Sequence, residues 1–103
     1  MSGTIIVTGF LQVDPAKHDV AVAAAVEVMK ATRAEDGNEG YTFSADLEQA
    51  GLFHIAEQWA SDEALDAHMA TPHMATFMAT IGTLGLAGGG VTRWDGGTPS
   101  KLM

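Results

Sequence analysis

The segment from Thr4 to Val13, TIIVTGFLQV, constrains the fold more than any other stretch of the chain. It is rich in β-branched residues, and both of its faces carry apolar side chains: Ile5, Val7 and Leu11 on one, Ile6 and Phe10 on the other. A strand apolar on both faces is covered on both faces. One layer of helices covers only one face of a sheet, so the other face is expected to meet a partner. A two-fold homodimer joined sheet to sheet is the simplest arrangement.

The remaining segments fall into place around that strand. Asp14-Pro15 supplies an N-cap and a proline at the first helical position, which predicts a helix from Pro15 to about Ala34. Val22, Ala25, Val26 and Met29 form its expected apolar stripe, with Asp19, Glu27 and Lys30 on the other side. Gly37-Asn38 ends it. Two strands follow, Gly40 to Leu47 and Leu52 to Ala60, joined through Glu48 to Gly51. Ser61 caps a second helix, and Asp62 and Glu63 complement its positive end. Leu65, His68 and Met69 share one face of it. Thr71-Pro72 interrupts this helix and starts a third, whose stripe is Met74, Phe77, Met78 and Ile81. A glycine-rich stretch, Gly82 to Gly90, leads to a short last strand, Val91 to Asp95, and residues 96–103 read as a loose tail. The order strand, helix, strand, strand, helix pair, strand is that of a ferredoxin-like split βαβ unit. The expected class is α+β, one domain over residues 1–103 with a four-stranded antiparallel sheet.

Composition removes several functions. Thirteen acidic residues against five basic ones leave a net charge of −8, which repels nucleic acid and anionic lipid. There are no cysteines, hence no disulfides and no thiolate metal sites or nucleophiles. No apolar run approaches the roughly 20 residues of a membrane span. Met-Ser-Gly-Thr places no basic region ahead of the first apolar stretch, so a cytoplasmic protein is expected rather than an exported one. Gly88-Gly89-Gly90 lacks the spacing of a phosphate loop, and there is no serine elbow. His68 and His73 are five apart across a proline, which is not the i, i+4 spacing of a helical metal pair; no metal is expected.

Histidines, aromatics and a few carboxylates are left to carry chemistry. His18, near the start of the first helix, is expected to be solvated. His54 alternates with Leu52 and Ala56 and is expected to point into a covered region, either as a hydrogen-bonded core group or as a site residue. His68 lies one turn beyond Leu65, where it either satisfies a backbone group or lines a pocket between helix and sheet. His73 lies near a helix N-terminus, with a structural and a functional role both open. Glu57 shares a strand face with Phe53, Ile55 and Trp59, and a buried carboxylate needs a partner. Arg93 is the expected one, in an ion pair. Tyr41 and Trp59 are core or site residues, and the methionines of the helix pair suit a core or the wall of an aromatic pocket.

Gly40-Tyr41, Glu57-Gln58-Trp59, Ser61, Leu65-Asp66-Ala67-His68 and Thr71-Pro72-His73-Met74 together resemble the antibiotic biosynthesis monooxygenase family, and its quinol monooxygenase branch in particular. The resemblance implies a dimeric α+β barrel, in which two four-stranded sheets meet across a homodimer and each subunit holds a pocket between sheet and helices. It further implies oxidation of aromatic polyketides or quinols by O2 with no cofactor. His68 and His73 match the motif; His54 rests on the strand-face argument. Strand 1 has no asparagine, and His68 fills the tryptophan position of the heme-degrading branch, so heme degradation is not expected. The expected function is a cofactor-independent monooxygenase acting on a small aromatic substrate and O2. His54 and His68 are the candidate bases, and His73 the group that positions substrate. Tyr41, Trp59, Met69, Phe77 and Met78 are the expected pocket lining. A non-catalytic module for an aromatic or quinone ligand and an acid–base isomerase are the alternatives.

Overall fold

The structure, a computed structural model, describes residues 4–103. Strand β1 runs over Thr4–Gln12 and is followed by a single 3-10 turn at Pro15–Lys17 and helix α1 at His18–Arg33. Strands β2 (Asn38–Ala45) and β3 (Leu52–Trp59) form a hairpin. Helices α2 (Asp62–Met69) and α3 (Pro72–Ile81) precede strand β4 (Gly88–Gly97).

Local chemistry sets most of these limits. The Asp14 carboxylate accepts from the Ala16 N–H at 2.9 Å, so Pro15 opens a capped turn, but the first turn is tight and the α-helix proper starts at His18. Ser61 and Thr71 each cap a helix, accepting from Ala64 N at 3.2 Å and Met74 N at 3.3 Å. Gly51 takes a φ of 80° in the β2–β3 connection, a backbone region that favours glycine.

The sheet order is β2-β3-β1-β4, with every neighbouring pair antiparallel. Residues opposed across the ladders share a face. Ile5, Val7, Tyr41, Phe53, Ile55 and Trp59 face the helices and make the core with Ala21, Val28, Leu65, Phe77, Ile81 and Leu84. Ile6, Thr8, Phe10, Leu52, His54, Ala56 and Trp94 lie on the other face, which carries no helix among the described residues.

Two expectations change. The buried stripe of α1 is Ala21, Ala25, Val28 and Thr32, while Val22 and Val26 are exposed. Alanine lets the helix approach the sheet closely, so the smaller side chains are the ones that face it. The sequence leaves open which sheet face the helices take, and Phe53 and Ile55 prove to lie beneath them. The last strand begins at Gly88, because β1 pairs with the glycine run through backbone groups alone: Phe10 opposes Gly90 and Gln12 opposes Gly88. It also reaches Gly97, into the expected tail.

Candidate functional site

The α1–β2 turn carries one functional group to the helix pair. Glu35 N donates to Thr32 O at 2.9 Å as α1 ends, and Ala60 N donates to Gly37 O at 2.9 Å, which pins the turn against the start of α2. Glu35 is thereby held against the far end of α2. Thr71 fixes the other side: its hydroxyl donates to His68 O at 2.8 Å and caps α3, so His73 emerges on the turn after the break.

Glu35 Oε2 accepts from His68 Nδ1 at 2.8 Å and from His73 Nε2 at 2.7 Å. A carboxylate only accepts, so each ring turns an N–H toward it. In the neutral state the lone pairs are therefore on His68 Nε2 and His73 Nδ1. His68 is 1% exposed and packs against Trp59 at 4.7 Å and Tyr41 at 5.2 Å between ring centroids. His73 keeps 28% of its side chain accessible.

These residues are also the one group among the described residues that could hold a metal ion, their donor atoms lying within 4.8 Å of one another. A single oxygen at hydrogen-bond distance from both ring nitrogens is the geometry of a carboxylate accepting two N–H bonds.

A half-buried acid lies beside the cluster. Glu57 Oε1 accepts from Trp59 Nε1 at 2.9 Å. Burial pushes the Glu57 carboxyl up from its ordinary value, against the Trp59 N–H and the nearby His68, which pull it down. The expected ion pair with Arg93 does not form. Arg93 pairs with Asp62 and Asp95 instead, tying β4 to the start of α2. Burial and the charge of Glu57 also hold the Tyr41 hydroxyl far above the ordinary phenol range, so Tyr41 stays protonated and donates to Met74 Sδ at 3.8 Å.

The remaining candidates are scattered. His54 is not in a covered region of the chain. It sits on the open sheet face, 53% exposed, bonded to Asp46 Oδ1 at 2.9 Å. That bond, more than any other cause, holds the Asp46 carboxyl below its ordinary value. His18 is not simply solvated: its Nδ1 accepts from Gly51 N at 3.0 Å, and its ring stacks on Phe53 at 5.1 Å. Tyr41 and Trp59 wall the buried side of His68, and Phe77 is buried below α3. Met69 and Met78 are 64% and 57% exposed.

Hollows open among the described residues around the helices and the sheet. A groove of about 480 Å³ between α1 and α3 is lined by Val20, Ala24, Val28, Phe77 and Thr80, among others, with His73 and Glu27 as its titratable members. One of about 300 Å³ lies at Tyr41 and Glu57, and one of about 110 Å³ separates α1 from Phe43 and Phe53. Glu35 is the residue that sequence reasoning missed. It lies 33 positions before His68, inside an acidic turn, and no spacing rule distinguishes it from the other carboxylates.

The chain belongs to the antibiotic biosynthesis monooxygenase family, which it matches over residues 4–80. It is 27% identical over 75 residues to YcnE, a candidate monooxygenase of Bacillus subtilis (strain 168), spanning 73% of this chain and 79% of that protein. A candidate antibiotic biosynthesis monooxygenase from Deinococcus radiodurans superposes with a TM-score of 0.88 at 28% identity, covering 96% of this chain and 98% of that one. A Caulobacter crescentus CB15 relative with the same description gives 0.82 at 26% identity, covering 91% and 90%. The helix pair bearing His68 and His73 lies within the family match, apart from Ile81 at its end.

Proposed function

We propose that this protein is a monooxygenase that oxidises a quinol, a polyphenol or an aromatic polyketide-like molecule with O2 and without a resident cofactor. The observation that carries this reading is the Glu35–His68–His73 cluster beside an apolar groove, in a chain whose relatives are candidate monooxygenases.

Triplet O2 reacts poorly with closed-shell molecules, but an electron-rich phenolate or carbanion can donate an electron to it. The protein's part is to bind a flat substrate, take a proton and exclude water. A neutral imidazole suits the proton transfer. With a quinol, the base takes a hydroxyl proton, one electron passes to O2, and the resulting radicals combine into a carbon-bound hydroperoxide. Its O–O bond breaks with loss of water. Quinol plus O2 thus gives hydroxyquinone plus water, and the substrate supplies all four electrons.

Oxygen uptake with dihydroxynaphthalenes and anthrones tests the reading. Uptake well above the uncatalysed rate, reduced in His68→Ala, is expected. Rates at the uncatalysed level with every substrate would count against an enzyme. Turnover under strict anaerobiosis would instead favour an isomerase.

We also propose a homodimer joined through the open sheet faces. Ile6, Phe10, Leu52 and Trp94 lie on the side of the sheet without helices, and Phe10 and Trp94 are exposed there.

A further inference from the structure

The groove between α1 and α3 has the dimensions of a small-molecule site and is lined mainly by apolar and small side chains, as such sites are. Its titratable members are His73, beside Ala31 and Thr76, and Glu27. The His73 ring enters this lining with Nε2 already committed to Glu35, and among the described residues Nδ1 has no hydrogen-bond partner. His68 also keeps one ring nitrogen, Nε2, without a partner among the described residues, but it does not line the groove, and its ring is enclosed by Tyr41 and Trp59.

We infer that this groove is the substrate site and that His73 Nδ1 is the atom that takes the hydroxyl proton of a bound phenol. The inference rests on the oxygenase reading and reverses the sequence-based division of labour. His73 is the catalytic residue, whereas Glu35 and His68 are positioning residues. Glu35 fixes the His73 tautomer and ring plane through Nε2–H, as a carboxylate does for the base of a hydrolase triad. His68 in turn anchors Glu35 from the core at 2.8 Å. Glu27 gives the groove a negative charge, and the chain as a whole carries −8. Both disfavour an anion, so the groove admits the neutral phenol and the proton leaves after binding. The ligand class is a flat, uncharged phenol or quinol with its hydroxyl directed at the His73 end of the groove.

Two measurements on the full chain test this. The first needs no turnover: 1-naphthol is titrated into 15N-labelled protein and amide and imidazole resonances are followed. Shifts at Ala24, Ala31, Thr76 and Thr80 and at the His73 ring nitrogens are expected. Shifts confined to the open sheet face or to the hollow at Tyr41 would overturn the groove assignment. Groove shifts without oxygen uptake on any quinol would uphold the site and remove the oxygenase reading, which separates the two failures.

The second is kinetic. Thr76 is exposed on α3, so Thr76→Trp fills the groove without touching the core; it should raise KM and leave kcat near wild type. His73→Ala should lose kcat by about 100-fold or more, and added imidazole should restore part of it. His68→Ala and Glu35→Gln should lower kcat at unchanged KM, with no rescue by imidazole. Rescue of His68→Ala but not of His73→Ala would overturn the assignment of the base. Circular dichroism on each variant keeps loss of fold apart from loss of rate.

Discussion

Glu35 Oε2 accepts a hydrogen bond from His68 Nδ1 at 2.8 Å, joining the end of α1 to the end of α2 across a ring that is almost wholly buried. Removing the acceptor leaves the N–H of His68 enclosed by Tyr41 and Trp59 with nothing to bond. Glu35→Ala should therefore cost about 1–3 kcal/mol of stability. In a domain of this size each kcal/mol lowers Tm by roughly 4–8 °C. Glu35→Gln keeps an acceptor oxygen and should cost less. Thermal melts of the two variants check this, and an unchanged Tm in Glu35→Ala would contradict it.

The carboxyl of Glu57 supplies a pH dependence. Burial raises its pKa above the ordinary value of 4.5, so the folded state favours the protonated acid. That contribution is complete below the unfolded value and is lost as pH rises through the folded one. Glu57→Gln keeps an oxygen for Trp59 Nε1 and never ionises. Its Tm should match wild type in acid and exceed it increasingly as pH rises from 4.5 toward neutrality. A Tm difference that does not vary with pH would show that ionised Glu57 is not disfavoured by the fold.

Gly51 is a structural requirement of the β2–β3 connection. Its φ is 80°, and a Cβ there would run into the carbonyl of Val13. Gly51→Ala should destabilise the fold by about 1–3 kcal/mol. Denaturant midpoints give the value, while Gly82→Ala, at an ordinary φ and with only van der Waals neighbours for a Cβ, serves as the tolerant control.

The open sheet face predicts a dimer. Light scattering at micromolar concentration should give twice the chain mass of 10.7 kDa. A charge introduced at its centre, as in Phe10→Glu, should shift the equilibrium to monomer with the helix-side core intact. A wild-type monomer would exclude the sheet-to-sheet interface.

Much of this architecture is legible in the residues because it is set locally. Asp14, Ser61 and Thr71 announce helix starts, and the alternation of Phe53, Ile55, Glu57 and Trp59 fixes one strand face. Where a choice depends on distant packing, the sequence is ambiguous. β1 is apolar on both faces, so nothing in it tells which face the helices take, and His54 is assigned to cover that the chain's own helices do not provide. On α1, the more hydrophobic Val22 and Val26 outrank the alanines by hydropathy, yet close approach to the sheet selects Ala21 and Ala25. Glu35 is invisible because its role depends on two rings more than 30 positions away.

The direct test of oxygenase chemistry is isotopic. Turnover of an anthrone or a dihydroxynaphthalene under 18O2 should place one labelled oxygen atom in the organic product and the other in water, and labelled product should form about 100-fold more slowly in His73→Ala. A product with no label, formed by the wild-type protein at a catalysed rate, would contradict the account.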